Sequence, residues 1–124
     1  MISSVDEETV KETVIARISN VEFFNVGQFN KYAINFFSND DMPSSYITKS
    51  SIHNSFNRAI NIYSSNFIRI QSNIVYDVKG SAVHLNEGTE IGNIFDNNLV
   101  MLLYPSLLNE DLSPGNILVK PSFY

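Results

Sequence analysis

Apolar and polar residues alternate along three short segments that read almost identically. Each has an Ala followed by an aliphatic, a polar and a second apolar residue, and they occupy residues 33–36, 59–62 and 82–85. The repeated alanines are therefore Ala33, Ala59 and Ala82, at nearly equal intervals along the chain. Because strand side chains alternate between two faces, the pattern predicts short β-strands with two inward apolar columns. The columns are Ile34 with Ile60 and Val83, and Phe36 with Ile62 and Leu85.

A second phrase, in which Asn or Ser precedes an aliphatic residue, recurs between these segments. It occurs at Asn20-Val21, Ser51-Ile52, Asn73-Ile74 and Asn98-Leu99, in the same order relative to the first phrase. Amide side chains repeated in register hydrogen-bond from one layer to the next, as in cross-β stacks. The phrase therefore predicts a stacked polar turn.

The two repeats together predict an all-β fold, a right-handed parallel β-helix of about four to five coils that forms part of a longer helix. The coils are expected near residues 14–31, 32–58, 59–81 and 82–104, with a fifth beginning at 117–119. A loop insertion is expected at about 38–45, and residues 1–13 form an acidic segment that is either a short helix or disordered. A β-sandwich with regularly spaced strands is the alternative fold.

The composition limits the kinds of partner that the chain is expected to bind. The formal net charge is −5, which argues against a nucleic-acid or polybasic membrane surface. The chain has no cysteine, so disulfides and thiolate metal sites are excluded. There is no run of about 18 apolar residues and no signal-like start, so the sequence predicts neither membrane insertion nor a visible address.

Four stretches resemble a known family: "VEFFNVGQ" (21–28), "SIHNSFNRAINIY" (51–63), "NIVYDVKGSAVHLNEGTEIGNIFDNNL" (73–99) and "SPGNILVKP" (113–121). They are similar to the β-helix region of the fibrocystin-like proteins, which is shared with the cell-migration-inducing and transmembrane hyaluronidases. The resemblance implies a cell-surface or extracellular location and a central segment of a longer chain. It also implies relatives of two kinds, receptor-like proteins and hyaluronan-degrading enzymes.

The outward positions of the first repeat predict a polar column made of Asn35, Asn61 and His84. Polar groups along an exposed sheet suit sugar hydroxyls, which need many donors and acceptors. We therefore expect these residues to bind carbohydrate, with hyaluronan as the example that the resemblance implies. A solvated face without a ligand is the alternative.

Three further residues are weak catalytic candidates: His53, Glu87 and Glu90. Glu87 and Glu90, near His84 in the sequence, could form an acid–base pair for glycoside cleavage, or the two carboxylates could hold Ca²⁺, although no cofactor is otherwise expected. The alternative is a purely structural role, with a hydrogen-bonded His53 and a turn centred on Gly88, which needs a positive φ. Asp77 is expected to cap its own turn.

The strand at residues 32–37 counts against an enzyme. Hyaluronidase-like relatives resemble Tyr-Pro-Ile-His-Phe-His here, whereas this chain has Asn35 and Phe37 in place of both histidines. Neither replacement exchanges protons near neutral pH. The sequence therefore predicts a non-catalytic scaffold that binds carbohydrate along one face and stacks on neighbouring coils of a parent chain. The alternatives are a polysaccharide-degrading enzyme and a truncated fragment without independent function.

Overall fold

The computed structural model describes residues 14–105 and 115–119, and strands account for most of them. The strands alternate with short bends in which Asn is frequent, as at Asn20, Asn25, Asn73, Asn97 and Asn98. Their bounds are β1 Arg17–Ser19, β2 Glu22–Phe24, β3 Ile34–Asp41, β4 Tyr46–Thr48, β5 Ser51–Ser55, β6 Ile60–Asn66, β7 Arg69–Gln71, β8 Ile74–Lys79, β9 Ser81–Leu85, β10 Ile94–Asp96, β11 Leu99–Tyr104 and β12 Gly115–Val119. No helix among these residues is long and apolar enough to cross a membrane.

Each strand pairs in parallel with the strand three places further along the chain. The described residues thus form three four-stranded sheets: a first sheet (β1-β4-β7-β10), a second (β2-β5-β8-β11) and a third (β3-β6-β9-β12). One strand from each sheet makes one coil, so the chain winds through about four turns of a parallel β-solenoid. The β-helix prediction is confirmed, and the sandwich alternative is wrong.

The register of the third sheet matches the predicted columns. Ile34 pairs with Ile60, which pairs with Val83, and Phe36 pairs with Ile62, which pairs with Leu85. Five of these six side chains are buried and Leu85 packs against them at the edge of the core. Residues 117–119 continue the stack by pairing with Val83, His84 and Leu85, but as part of β12 they end the fourth coil and do not begin a fifth.

A polar ladder runs inside the corner between the first and second sheets. Asn73 accepts from Ser50 N at 3.0 Å and donates to Ile47 O at 2.9 Å and to Asn98 Oδ1 at 3.1 Å. The predicted stacked turn is therefore present at Asn73 and Asn98. The two earlier members of the phrase were predicted wrongly by one residue each. The register aligns Ser50, not Ser51, with Asn73, and in the first coil the equivalent position is Val21, not Asn20.

The corners also explain the abundance of short polar residues. Left-handed backbone recurs at one position in the corner after each first-sheet strand, at Asn20, Lys49, Ser72 and Asn97. It recurs again within or just after the second-sheet strands, at Asn25, Asn54, Asp77 and Leu102. Asn and Asp tolerate this conformation better than most residues. Asp77 accordingly lies at a bend in β8.

Two expectations concern the organisation of the chain. Residues 38–41, expected in a loop, instead extend β3, with a register shift between Phe37 and Asp40. Only residues 42–45 form a connection, and Met42 there is buried. An extra residue in β3 is accommodated as a bulge, which keeps the strand paired where the sequence suggested a break. The acidic segment 1–13 lies outside the described residues.

Candidate functional site

The outer face of the third sheet brings the three predicted binding residues together. Asn35, Asn61 and His84 occupy successive strands in direct register. Asn61 Nδ2 donates to Asn35 Oδ1 at 3.0 Å, and Asn61 Oδ1 shares a hydrogen bond with His84 Nδ1 at 3.3 Å. The column is thus a continuous hydrogen-bonded chain across three coils.

Exposure along this column differs from the expectation of an open polar strip. Asn35 is exposed, but Asn61 and His84 retain only 3% and 4% of their accessible surface. Part of the reason is Arg58, whose Nη1 donates to Asn61 Oδ1 at 3.2 Å. Its guanidinium carbon lies 5.4 Å from the centre of the Tyr32 ring, which anchors it as a cation–π contact. Two of the three predicted residues therefore position the third and do not face solvent.

Two aromatic residues that the sequence analysis did not select lie on the same face. Phe37 and Tyr63 are paired in register and their rings stack at a centroid distance of 4.8 Å. Phe37 is 61% exposed. A hydrogen bond to Glu87, whose negative charge acts in the same sense, raises the pKa of the Tyr63 hydroxyl. The sequence could have indicated these residues, because each directly follows an inward residue of the first repeat and strand alternation then places it on the outer face.

His53 lies on the second sheet, in β5. Its ring stacks between Tyr76 at 4.7 Å and Phe24 at 5.8 Å. Its Nδ1 is 2.6 Å from Asn54 Oδ1 and its Nε2 is 2.7 Å from Glu22 Oε1. These hydrogen bonds, first to Asn54 and then to Glu22, raise the pKa of His53 above its ordinary value near 6.5. The arrangement favours a charged imidazole that joins the first two coils.

Glu87 and Glu90 lie in the connection from the third sheet to the first. Glu90 accepts from Gly88 N at 2.9 Å, Glu87 N at 3.1 Å and Ser64 N at 3.2 Å. Gly88 has the expected positive φ, 76°. Glu87 contacts Thr89 Oγ1 at 3.4 Å and hydrogen-bonds to Tyr63. Glu90 thus stabilises a turn. Residues 86–93 lie between strands, and the Glu90 carboxylate accepts hydrogen bonds from backbone N–H groups there.

The three weak catalytic candidates do not converge. His53 is on the second sheet, whereas both glutamates are in the corner that follows the third sheet. Within residues 14–105 and 115–119, no group of three or more His, Cys, Asp or Glu side chains is placed to hold a metal ion. What the outer faces offer chemically is hydrogen bonding, stacking and charge.

Fold and site together place this chain among the parallel β-helix proteins. A family model described as the CEMIP beta-helix matches residues 8–119. That match covers most of the chain, and the chain belongs to this family. No solved structure is significantly similar to it.

Individual relatives agree with the family match. Fibrocystin-L of Mus musculus is 38% identical over 110 residues, which covers 84% of this chain and 3% of the relative. Fibrocystin-L of Homo sapiens is 36% identical over 82% of this chain and 2% of the relative. The cell surface hyaluronidase of Danio rerio is 30% identical over 73% of this chain and 7% of the relative. The chain therefore spans only a small part of the proteins that it resembles.

Proposed function

We propose that this chain is a non-catalytic β-helix segment of a fibrocystin-like cell-surface or extracellular protein, and that it binds carbohydrate on the outer face of the third sheet. The observation that carries the proposal is an exposed, oriented amide, Asn35, two residues from an exposed ring, Phe37. Amide and aromatic groups together suit a sugar, which presents hydroxyls at its edge and C–H groups on its faces.

The buried part of the column supports this role by holding Asn35 in place. Asn35 Oδ1 is engaged by Asn61, so its Nδ2 is oriented as a donor. Asn61 is in turn fixed by Arg58 and His84. A binding group whose rotamer is already fixed loses little entropy when a ligand arrives. In this proposal Asn61 and His84 are positioning residues, and Asn35, Phe37 and Tyr63 contact the ligand.

The non-catalytic part of the proposal is supported by how the acid–base candidates are used. The hydrogen bonds that Glu90 accepts come from backbone N–H groups, and His53 is enclosed between two rings on another sheet. A general acid and base must reach the same scissile bond, with carboxyl groups about 5–10 Å apart across the sugar. Neither Asn35 nor Phe37 exchanges protons near neutral pH, so these two positions supply neither a general acid nor a general base.

The partner proposed for the ends of the solenoid is further coils of a parent chain. Among the described strands, those of the first coil (β1, β2 and β3) and the last (β10, β11 and β12) pair on one side only. Unpaired N–H and C=O groups on such edges accept another strand readily. This fits a family match in which the chain covers 2% to 7% of its relatives.

The experiment is a calorimetric titration of the purified chain with size-defined hyaluronan and with neutral oligosaccharides. Phe37→Ala and Asn35→Ala should weaken binding, because each removes a ligand contact. Phe29→Ala is the matched control, since Phe29 is 60% exposed but lies in the turn before the third sheet. Equal affinity in all three variants and the unmodified chain would refute binding at this face.

The same preparation tests catalysis. Incubation with size-defined hyaluronan should leave its length distribution unchanged. Depolymerisation that disappears in His53→Ala or Glu87→Gln would instead support the polysaccharide-degrading alternative, because contaminating enzymes would not respond to either substitution.

A further inference from the structure

A line of basic and aromatic side chains crosses the outer face of the first sheet. Arg17 in β1 pairs with Tyr46 in β4, which pairs with Arg69 in β7. Their in-register neighbours one step away, Ile18, Ile47 and Ile70, belong to the core, so the line itself points outward. This arginine–tyrosine column concentrates positive charge in a chain whose formal net charge is −5.

Both guanidinium groups are available to a ligand. Arg17 and Arg69 are exposed, and neither forms an ion pair with any residue in the described part of the chain. Arg17 donates through Nε to Ser44 O at 3.2 Å, which fixes the plane of the group and leaves its other donors. A surface cavity of about 260 Å³ lies against the column and is lined by Arg17, Pro43, Ser44, Ser45, Tyr46 and Arg69.

The remaining outward positions of the first three coils are neutral and able to hydrogen-bond, and in the last coil the exposed Ile94 continues the arginine–tyrosine column. The adjacent outward column contains Ser19, Thr48 and Gln71, and a carboxylate, Asp96, appears in it only in the last coil. Hydroxyl and amide groups beside exposed arginines suit a ligand that carries both hydroxyls and separated negative charges.

We propose that the arginine–tyrosine column binds an acidic carbohydrate chain laid along the solenoid axis. Carboxylate or sulfate groups contact Arg17 and Arg69, and a sugar ring contacts Tyr46 between them. The guanidinium fork matches both oxyanions in geometry. The two arginines are separated by two strand spacings, about 10 Å, so acidic groups on alternate sugars reach both.

Nucleic acid fits this face less well. A duplex presents a negative charge about every 1.7 Å, and the overall acidity of the chain repels such a dense polyanion. A saccharide with widely spaced charges meets the two arginines with a smaller repulsion. The inference rests on the proposed function for the ligand class, but it assigns a different face and different residues.

The test compares two double variants of the full chain that lose the same charge. Arg17→Ala with Arg69→Ala removes the column, and Lys31→Ala with Lys79→Ala removes two exposed cations elsewhere. Ligands are hyaluronan oligosaccharides (carboxylate), chondroitin sulfate oligosaccharides (carboxylate and sulfate), a neutral dextran oligosaccharide and duplex DNA. Binding is measured by calorimetry at two salt concentrations, and circular dichroism checks that each variant folds.

We expect the arginine variant to lose affinity for both acidic saccharides by about tenfold for each arginine, as for a charge-assisted hydrogen bond to an anion. The lysine variant should stay within about twofold, since distant exposed charges are screened. Arg17→Lys with Arg69→Lys should give an intermediate loss, because charge is kept and the fork is lost. Tighter binding of hyaluronan would support carboxylate recognition, and tighter binding of chondroitin sulfate would support sulfate recognition.

Several results would overturn the inference. These are unchanged affinity in the arginine variant, an equal loss in the lysine variant, or DNA bound as tightly as the saccharides. Binding of every saccharide, acidic or neutral, that depends on Phe37 and is unchanged in the arginine variant would leave the proposed function standing and remove this inference. If the arginine variant loses affinity for acidic saccharides and Phe37→Ala has no effect, this inference stands and binding at the third sheet is refuted. The carbohydrate site would then lie on the first sheet.

Discussion

Asn73→Asp tests the inner polar ladder with almost no change in side-chain volume. Asn73 is 2% exposed, and its Nδ2 donates to Ile47 O and Asn98 Oδ1 while its Oδ1 accepts from Ser50 N. The substitution replaces two donor hydrogens with an oxygen that faces two acceptors. A charged carboxylate there would be buried against other oxygens, so the folded state takes up a proton instead.

The size of the effect follows from that proton. Moving an Asp pKa from about 3.9 to above 7 costs roughly 4 kcal/mol at neutral pH, since each pKa step of one is worth about 1.4 kcal/mol. The protonated acid has one donor where the amide had two, which adds about 1 kcal/mol for one lost hydrogen bond. We therefore expect Asn73→Asp to lower the free energy of unfolding by about 5 kcal/mol near pH 7, much of a typical domain's stability.

The sign of the pH dependence is a second check. An acid whose folded-state pKa is raised binds more protons when folded, so the penalty grows as the pH rises above the unfolded-state pKa. Urea unfolding followed by circular dichroism at about pH 7 and about pH 4.5 should show most of the loss at the higher pH. Asn97→Asp is the control, since it makes the same chemical substitution beside the ladder, at an exposed position with the left-handed backbone that Asp tolerates. Equal destabilisation by the two substitutions, or a loss independent of pH, would refute the ladder argument.

Three further predictions concern single side chains. Glu90→Gln should reduce the free energy of unfolding by about 1–2 kcal/mol, because an amide NH₂ replaces an acceptor of backbone N–H groups, whereas Glu87→Gln should change it by less than about 0.5 kcal/mol in the same urea titration. Gly27→Ala should lower the melting temperature, since its φ is +89° and the added Cβ would lie 2.8 Å from a backbone nitrogen; an unchanged melt would contradict the geometry. NMR titration should give His53 a pKa above 6.5, and this pKa should fall in the Glu22→Gln variant. The stability that the pair contributes should be full at acidic pH and be lost as the pH rises through the raised pKa. A His53 pKa that Glu22→Gln leaves unchanged would contradict the ion pair.

The sequence alone determined the architecture because the repeat is periodic in both composition and alternation. Ile34, Ile60 and Val83 could be aligned without coordinates, since in a parallel stack like residues lie on like. The second phrase was less certain, because Ser50 and Ser51 are adjacent and identical, so composition could not choose between them. The register was decided by hydrogen bonding, in which Ser50 N and not Ser51 N reaches Asn73 Oδ1.

The site depended on tertiary structure to a greater extent. The alternation correctly placed Asn61 and His84 outside the sheet, but it carries no information about what covers that face. Arg58 folds over Asn61 because Tyr32, just before the adjacent strand β3, offers its ring to the guanidinium. The arginine–tyrosine column was equally hidden, since its three members lie in three different coils and meet only through the pairing of β1, β4 and β7. The sequence separations between these three residues are unequal because the corners differ in length. The repeated phrases lie in other parts of each coil and do not show how long each corner is.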